Sequence, residues 1–187
     1  MPDISRDPAR GFGNIASADH GAADAGISPP APQATSFPAD IGPDCRAMQM
    51  HGSCGSRSGD GVLLTGPPGA GKSDLLLRLL ARCFELVADD RVDIEDGIAQ
   101  PVPSLAGMLE VRGLGIVRLP YVASVRLALV VELGAESTRL PMPMRHPTLD
   151  LPIFRLDPCL VSAPERVSLA LDCALGRVTQ VAGAFTA

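Results

Sequence analysis

The sequence predicts an α/β domain with a mixed sheet and flanking helices, and three observations carry that expectation. First, Gly61 to Ser73 reads as the end of a buried strand (Val62, Leu63, Leu64), a glycine-rich loop and a helix start. Second, short apolar strands alternate with helical stretches on both sides of it, the pattern of sheet and helix in one layered domain. Third, aromatic residues make up 3% of the chain and Trp is absent, so the core must be aliphatic. The loop itself, Gly66-Pro67-Pro68-Gly69-Ala70-Gly71-Lys72-Ser73, matches G-x-x-x-x-G-K-[ST] without a mismatch. Its glycines let successive backbone N–H groups turn toward phosphate oxygens. Lys72 adds a charge for the outer phosphates, Ser73 offers a hydroxyl to Mg²⁺, and the next helix presents its positive end. A bound nucleoside triphosphate is the expectation.

Bulk properties narrow the classes. At 187 residues the chain suits one domain with a core of its own. A formal charge of −5 and a pI near 5.1 argue against a dedicated nucleic-acid binder, as does the lack of any basic block interleaved with aromatics. No apolar run reaches membrane-span length and no signal pattern opens the chain, so the expectation is a cytoplasmic protein without membrane contact. Cys45, Cys54, Cys83, Cys159 and Cys173 are scattered and odd in number, which suits buried or incidental thiols rather than a zinc site or disulfide framework.

Residues 1–44 form a leader rich in Pro, Ala and Gly, read as a disordered tether in which His20 is solvated. The domain is expected over residues 45–187. Arg46 to His51 reads as a short strand, Gly52 to Asp60 as a turn, and Val62 to Thr65 as the strand feeding the loop. Ser73 to Cys83 reads as a helix with a wet edge at Arg78 and Arg82. A strand over Phe84 to Ala88 ends in Asp89-Asp90, and Val92 to Ile94 continues it or opens a hairpin through Glu95-Asp96-Gly97. Two glycines interrupt the apolar run from Val111 to Val117. Val125 to Leu133 is the clearest later strand, residues 134 to 152 read as proline-rich loop, and Ser162 caps a helix with Pro164 in its first turn and Glu165 at the capping-box position. That helix carries Val167, Leu171 and Ala174 on one face.

Asp89 follows Lys72 by seventeen residues, at the end of the strand after the loop's helix. With that strand beside the loop's own, Asp89 and Asp90 sit at the phosphate site. The short interval suggests a kinase-like site in which an aspartate receives the proton of an attacking hydroxyl; the competing reading is a solvated turn. An N-K-x-D guanine motif is absent. His51, beside Gly52, is by itself more often a surface or packing histidine. Glu110 and Arg112 flank Val111 and share a face of an extended segment, where they serve metal and phosphate or pair with each other.

Together these residues resemble the bifunctional HPr kinase/phosphorylases of bacteria. The resemblance rests on His51-Gly52, the loop GPPGAGKS, the segment Leu86 to Val92 (LVADDRV) and the segment Leu109 to Ile116 (LEVRGLGI), in that order. It is strong over about residues 47 to 118. It implies an ATP- and Mg²⁺-dependent kinase acting on a serine of the phosphocarrier HPr, with reverse phosphorolysis, and a hexameric homo-oligomer. The implied fold is related to the phosphate-loop core of phosphoenolpyruvate carboxykinase. By position, Asp89 is implied as base, with Asp90 beside it. His51 assists it, Lys72 holds the β- and γ-phosphates, Ser73 and Glu110 bind Mg²⁺, and Arg112 belongs to the same catalytic strip.

The chain departs from the family where its later half is short. A Pro-x-Arg-Pro-Gly-Arg-Asn loop is replaced by Leu156 to Arg166 without the glycine or the paired arginines, and Arg139 is the nearest counterpart of a late catalytic arginine. The missing loop weighs against phosphorolysis and leaves kinase activity as the expectation. It also motivates an alternative, an ATP-sensing module that binds HPr with little turnover. A small-molecule kinase on the same scaffold is the third.

Overall fold

The computed structural model describes residues 47–134 and 138–186; the leader expected over residues 1–44 lies outside them. Among the described residues, ten strands and two helices follow one another: β1 (Met48–His51), β2 (Ser53–Arg57), β3 (Asp60–Thr65), α1 (Lys72–Leu80), β4 (Glu85–Ala88), β5 (Arg91–Glu95), β6 (Ile98–Pro101), β7 (Met108–Val111), β8 (Gly115–Arg118), β9 (Val125–Leu133), β10 (Ile153–Leu156) and α2 (Ala163–Ala174). A single 3-10 turn, Pro103–Leu105, separates β6 from β7.

Eight strands form one mixed sheet in the order β1-β5-β6-β9-β3-β2-β4, with β10 added to β9; β7 and β8 form a separate hairpin. β9 is the organising strand. It runs parallel to β3 along one side, while its other side pairs with β6 near its start and with β10 near its end. Burial on both sides explains its near-continuous VRLALVVEL run. Contacts of β4 with β6 and of β2 with β5 show that the sheet curls on itself. Cys54, Leu63, Val87, Val92, Ile94 and Leu127 fill the inside of the curl. On the other face, α1 and α2 cover Val62, Leu64, Leu129 and Val131. Leu75, Leu76 and Leu79 of α1 are fully buried there, each stabilising the fold by roughly 1.5–3 kcal/mol of apolar burial.

Three expectations are corrected. Gly52 to Asp60 is not a turn: Ser53–Arg57 is a strand, and the reversal is confined to Ser58 and Gly59, both at positive φ. The strand carrying Asp89 does not lie beside the loop's strand, because β2 intervenes and pairs antiparallel with both β3 and β4. β3 and β4 are therefore parallel to each other and end at the same sheet edge, so Asp89 still reaches the loop. Ser162 is the cap residue of α2 but makes no side-chain cap bond; its hydroxyl accepts from Arg166 Nε at 3.1 Å instead.

The wet edge expected on α1 is a polar seam. Arg78 donates to the carbonyls of Pro158 and Leu160, and Arg82 pairs with Glu165 of α2 at 2.8 Å. Among the described residues no helix is long and apolar enough to cross a membrane.

Candidate active site

The loop after β3 enters α1 through Gly71, whose φ of 87° is left-handed and suits a residue without a Cβ. Its carbonyl accepts the Leu75 N–H at 2.9 Å, which fixes the first turn. Lys72 is buried, and its ammonium donates to the carbonyls of Gly66 (2.9 Å) and Pro67 (3.1 Å). The loop thus pins its own cation, leaving one of three ammonium protons for an outside acceptor. Pro158, in the segment held by Arg78, places its ring 3.6 Å from the Cβ position of Gly71 and packs against the loop from the other side.

Asp89 is the hub of the site. It is 5% exposed, and its Oδ1 accepts hydroxyl bonds from Ser53 at 2.6 Å and Ser73 at 2.9 Å. Oδ2 accepts the Glu110 backbone N–H at 3.3 Å. A buried carboxylate needs such donors, since desolvation without them is costly. Four elements meet at this one side chain: β2, α1, β4 and β7.

Asp90 beside it has a φ of 70°, and the Arg91 N–H closes back on the Asp89 carbonyl at 2.9 Å. That is the i→i+2 bond of a tight turn with positive φ at its centre, a strained conformation that Asp tolerates better than most residues. The Asp90 carbonyl is held by the Gly52 N–H at 3.1 Å, and its carboxylate lies 3.2 Å from His51 Nδ1. His51 therefore contacts Asp90 rather than Asp89. Both side chains of that pair are more than half exposed, so its energetic weight is small.

A cleft of about 460 Å³ gathers these groups: His51, Ser53, Lys72, Ser73, Asp89, Asp90, Glu110 and Arg112 line it with Pro68, Gly69 and Gly71 of the loop. Gly66, Pro67 and Ala70 shape the loop from behind; Ala70 donates its N–H to the Pro67 carbonyl at 3.1 Å. Glu110 and Arg112 make no ion pair with each other, and Arg112 stands in the turn after β7, so both present to the cleft. Arg139 is not brought to it. It lines a separate cavity of about 350 Å³ with Met142, Phe154, Arg155 and Arg166. Two contributors escaped sequence reading. Ser53 looked like part of a turn, and Arg78 like solvated surface.

The family model for the HPr Serine kinase C-terminal domain matches residues 45–134, the stretch from before β1 to the end of β9. Residues 45–134, just under half of the chain, resemble that family. An HPr kinase/phosphorylase from Clostridium novyi is 44% identical over 86 residues, 44% of this chain and 27% of the relative. Another from Clostridium beijerinckii is 48% identical over 73 residues, covering 37% and 24%. The chain spans about a quarter of the length of these curated relatives. In solved structures, the Hpr(Ser) kinase/phosphatase from Coxiella burnetii resembles it with a TM-score of 0.59 at 21% identity, over 70% of this chain and 98% of that one. That likeness extends the HPr kinase C-terminal fold beyond the segment matched in sequence. All of the cleft residues named above lie inside residues 45–134, whereas Arg139 and the Pro158 segment lie after it.

Proposed function

We propose that the chain is an ATP-dependent protein kinase that phosphorylates a serine of HPr. The carrying observation is the convergence on Asp89: the phosphate loop's own Ser73 donates to a buried carboxylate that, among the described residues, no basic side chain pairs with. Oδ1 is occupied by two hydroxyls, whereas Oδ2 accepts one long amide bond. Oδ2 is the oxygen with room to take a proton. In the proposed reaction the acceptor serine oxygen attacks the γ-phosphorus, the bond to the β–γ bridging oxygen breaks, ADP leaves, and the hydroxyl proton passes to Asp89.

The remaining roles follow from position. Backbone N–H groups of Gly69 to Ser73 and the start of α1 hold the phosphates. Lys72 gives its remaining proton to them. Arg112, which has no ion-pair partner among the described residues, balances charge on the transferred group. His51 assists at the cleft rim, paired with Asp90, while the Gly52 N–H bond to the Asp90 carbonyl fixes the turn that aims Asp89. The family implies Mg²⁺, and the donors fit it: a hydroxyl (Ser73) and a carboxylate (Glu110) line the same cleft, the sparse oxygen set that Mg²⁺ takes alongside substrate phosphates. Ser73 and Glu110 would hold it, and it would offset charge on the β- and γ-phosphates. A cytoplasmic homo-oligomer, implied by the sequence and its resemblance to the family, is part of this reading.

Incubation with labelled Mg-ATP, HPr and an HPr lacking its acceptor serine tests the proposal. Label on HPr and none on the serine-lacking protein is expected; equal labelling or none defeats it. One observation favours a second reading, an ATP-sensing module that binds HPr with little turnover: Arg139 stands outside the cleft. Tight HPr binding with transfer no faster than background would select it.

A further inference from the structure

We propose that the outward face of the β7–β8 hairpin, centred on Ile116 and Leu114, is the surface on which a folded protein acceptor docks while its hydroxyl enters the cleft. The inference rests on the kinase reading and gives that reading a specificity surface. The hairpin has two faces because strand side chains alternate. Leu109, Val111 and Val117 turn inward onto the core under α1. The register pairs Glu110 with Ile116 and Met108 with Arg118, which places these four on the opposite face. Glu110 lines the cleft, so its cross-strand neighbour Ile116 continues the cleft wall outward.

Ile116 is 72% exposed and Leu114, in the turn beside Arg112, is 73% exposed. Single apolar residues on a surface need no explanation. Two large ones on a hairpin tip that also forms a catalytic wall do, because such clusters mark interaction sites. A small acceptor held in the cleft would leave both in water. A protein presenting an apolar patch next to its hydroxyl would bury both. Charge narrows the partner further. The chain is acidic overall, yet this hairpin carries Arg112 in its turn and Arg118 at its open end, with Glu110 turned to the cleft. The matching surface is an apolar patch flanked by carboxylates.

The test compares the full chain with the double variant Leu114→Ser/Ile116→Ser and the conservative Leu114→Met/Ile116→Leu, using HPr as acceptor. Loss of anchors at an interface centre raises the acceptor KM by at least about tenfold. The expected result is that rise in the serine variant alone, with Mg-ATP affinity, saturated kcat and assembly mass by light scattering unchanged. An unchanged KM overturns the docking surface and leaves the kinase reading intact. A changed assembly mass identifies a second copy as the occupant and overturns it as well. No transfer to HPr by the unaltered chain removes the kinase reading and the docking surface together.

Discussion

The hydroxyl of Ser53 donates to Asp89 Oδ1 at 2.6 Å, joining the first residue of β2 to the residue that follows β4. Both groups are almost wholly buried. This bond aims the carboxylate, since Ser73 occupies the same oxygen from the loop side. A charge-assisted bond of this kind contributes about 1.5–3 kcal/mol.

Ser53→Ala removes one of three donors and lets the carboxylate rotate. We expect kcat for phosphate transfer to fall by roughly tenfold, one decade per 1.4 kcal/mol, with Mg-ATP affinity within about twofold. Steady-state kinetics and calorimetric titration measure both. Unchanged kcat would mean that Ser73 and the Glu110 amide alone position Asp89.

Gly52 allows β2 to start where it does. A Cβ there would lie 2.8 Å from the Leu64 carbonyl oxygen, a backbone atom that cannot step aside cheaply. Gly52→Ala should therefore destabilise the fold by about 1–3 kcal/mol, read as a lower urea midpoint. It should also loosen the bond to Asp90. A midpoint equal to that of the unaltered chain contradicts the close approach.

Cysteine reactivity gives a pH-dependent check on the inner core. Burial pushes the Cys54 thiol far above its ordinary range. The reactive species is the thiolate. A raised value keeps Cys54 protonated as pH climbs through 8 and 9, where exposed thiols ionise. Cys83 and Cys159 are exposed, whereas Cys54 is buried. Thiol labelling of the native protein at about pH 8.5 should modify Cys83 and Cys159 and spare Cys54 until denaturant is added. Early labelling of Cys54 would mean that the curled sheet opens locally.

The legible parts of this chain were those whose chemistry is local. The phosphate loop, the run of β9 and the Asp89-Asp90 turn each declare themselves within about ten residues. The route by which Asp89 reaches the loop was not legible, because β2 reads SCGSR and looks like a turn. Its small residues answer to packing instead. A Cβ on Gly55 would lie 3.0 Å from Leu76 of α1, so the strand under the helix must be thin. Turn composition and thin buried strand are the same letters, and only the long-range pairing of β2 with β3 and β4 tells them apart. Arg78 hid for a similar reason. Besides Asp74 one turn away, its partners are backbone carbonyls eighty residues on, which no spacing reveals.

In the proposed reaction the loop binds the donor while Asp89 acts on the acceptor. Asp89→Asn keeps the size and acceptor oxygen of the side chain but removes the charge that takes a proton. The decisive measurement sets Mg-ATP binding beside phosphate transfer to HPr for the unaltered chain and this variant. Binding is expected within a few-fold and transfer reduced by at least about a hundredfold, the scale of losing a general base. Transfer that survives at a comparable rate, with binding intact, would contradict it.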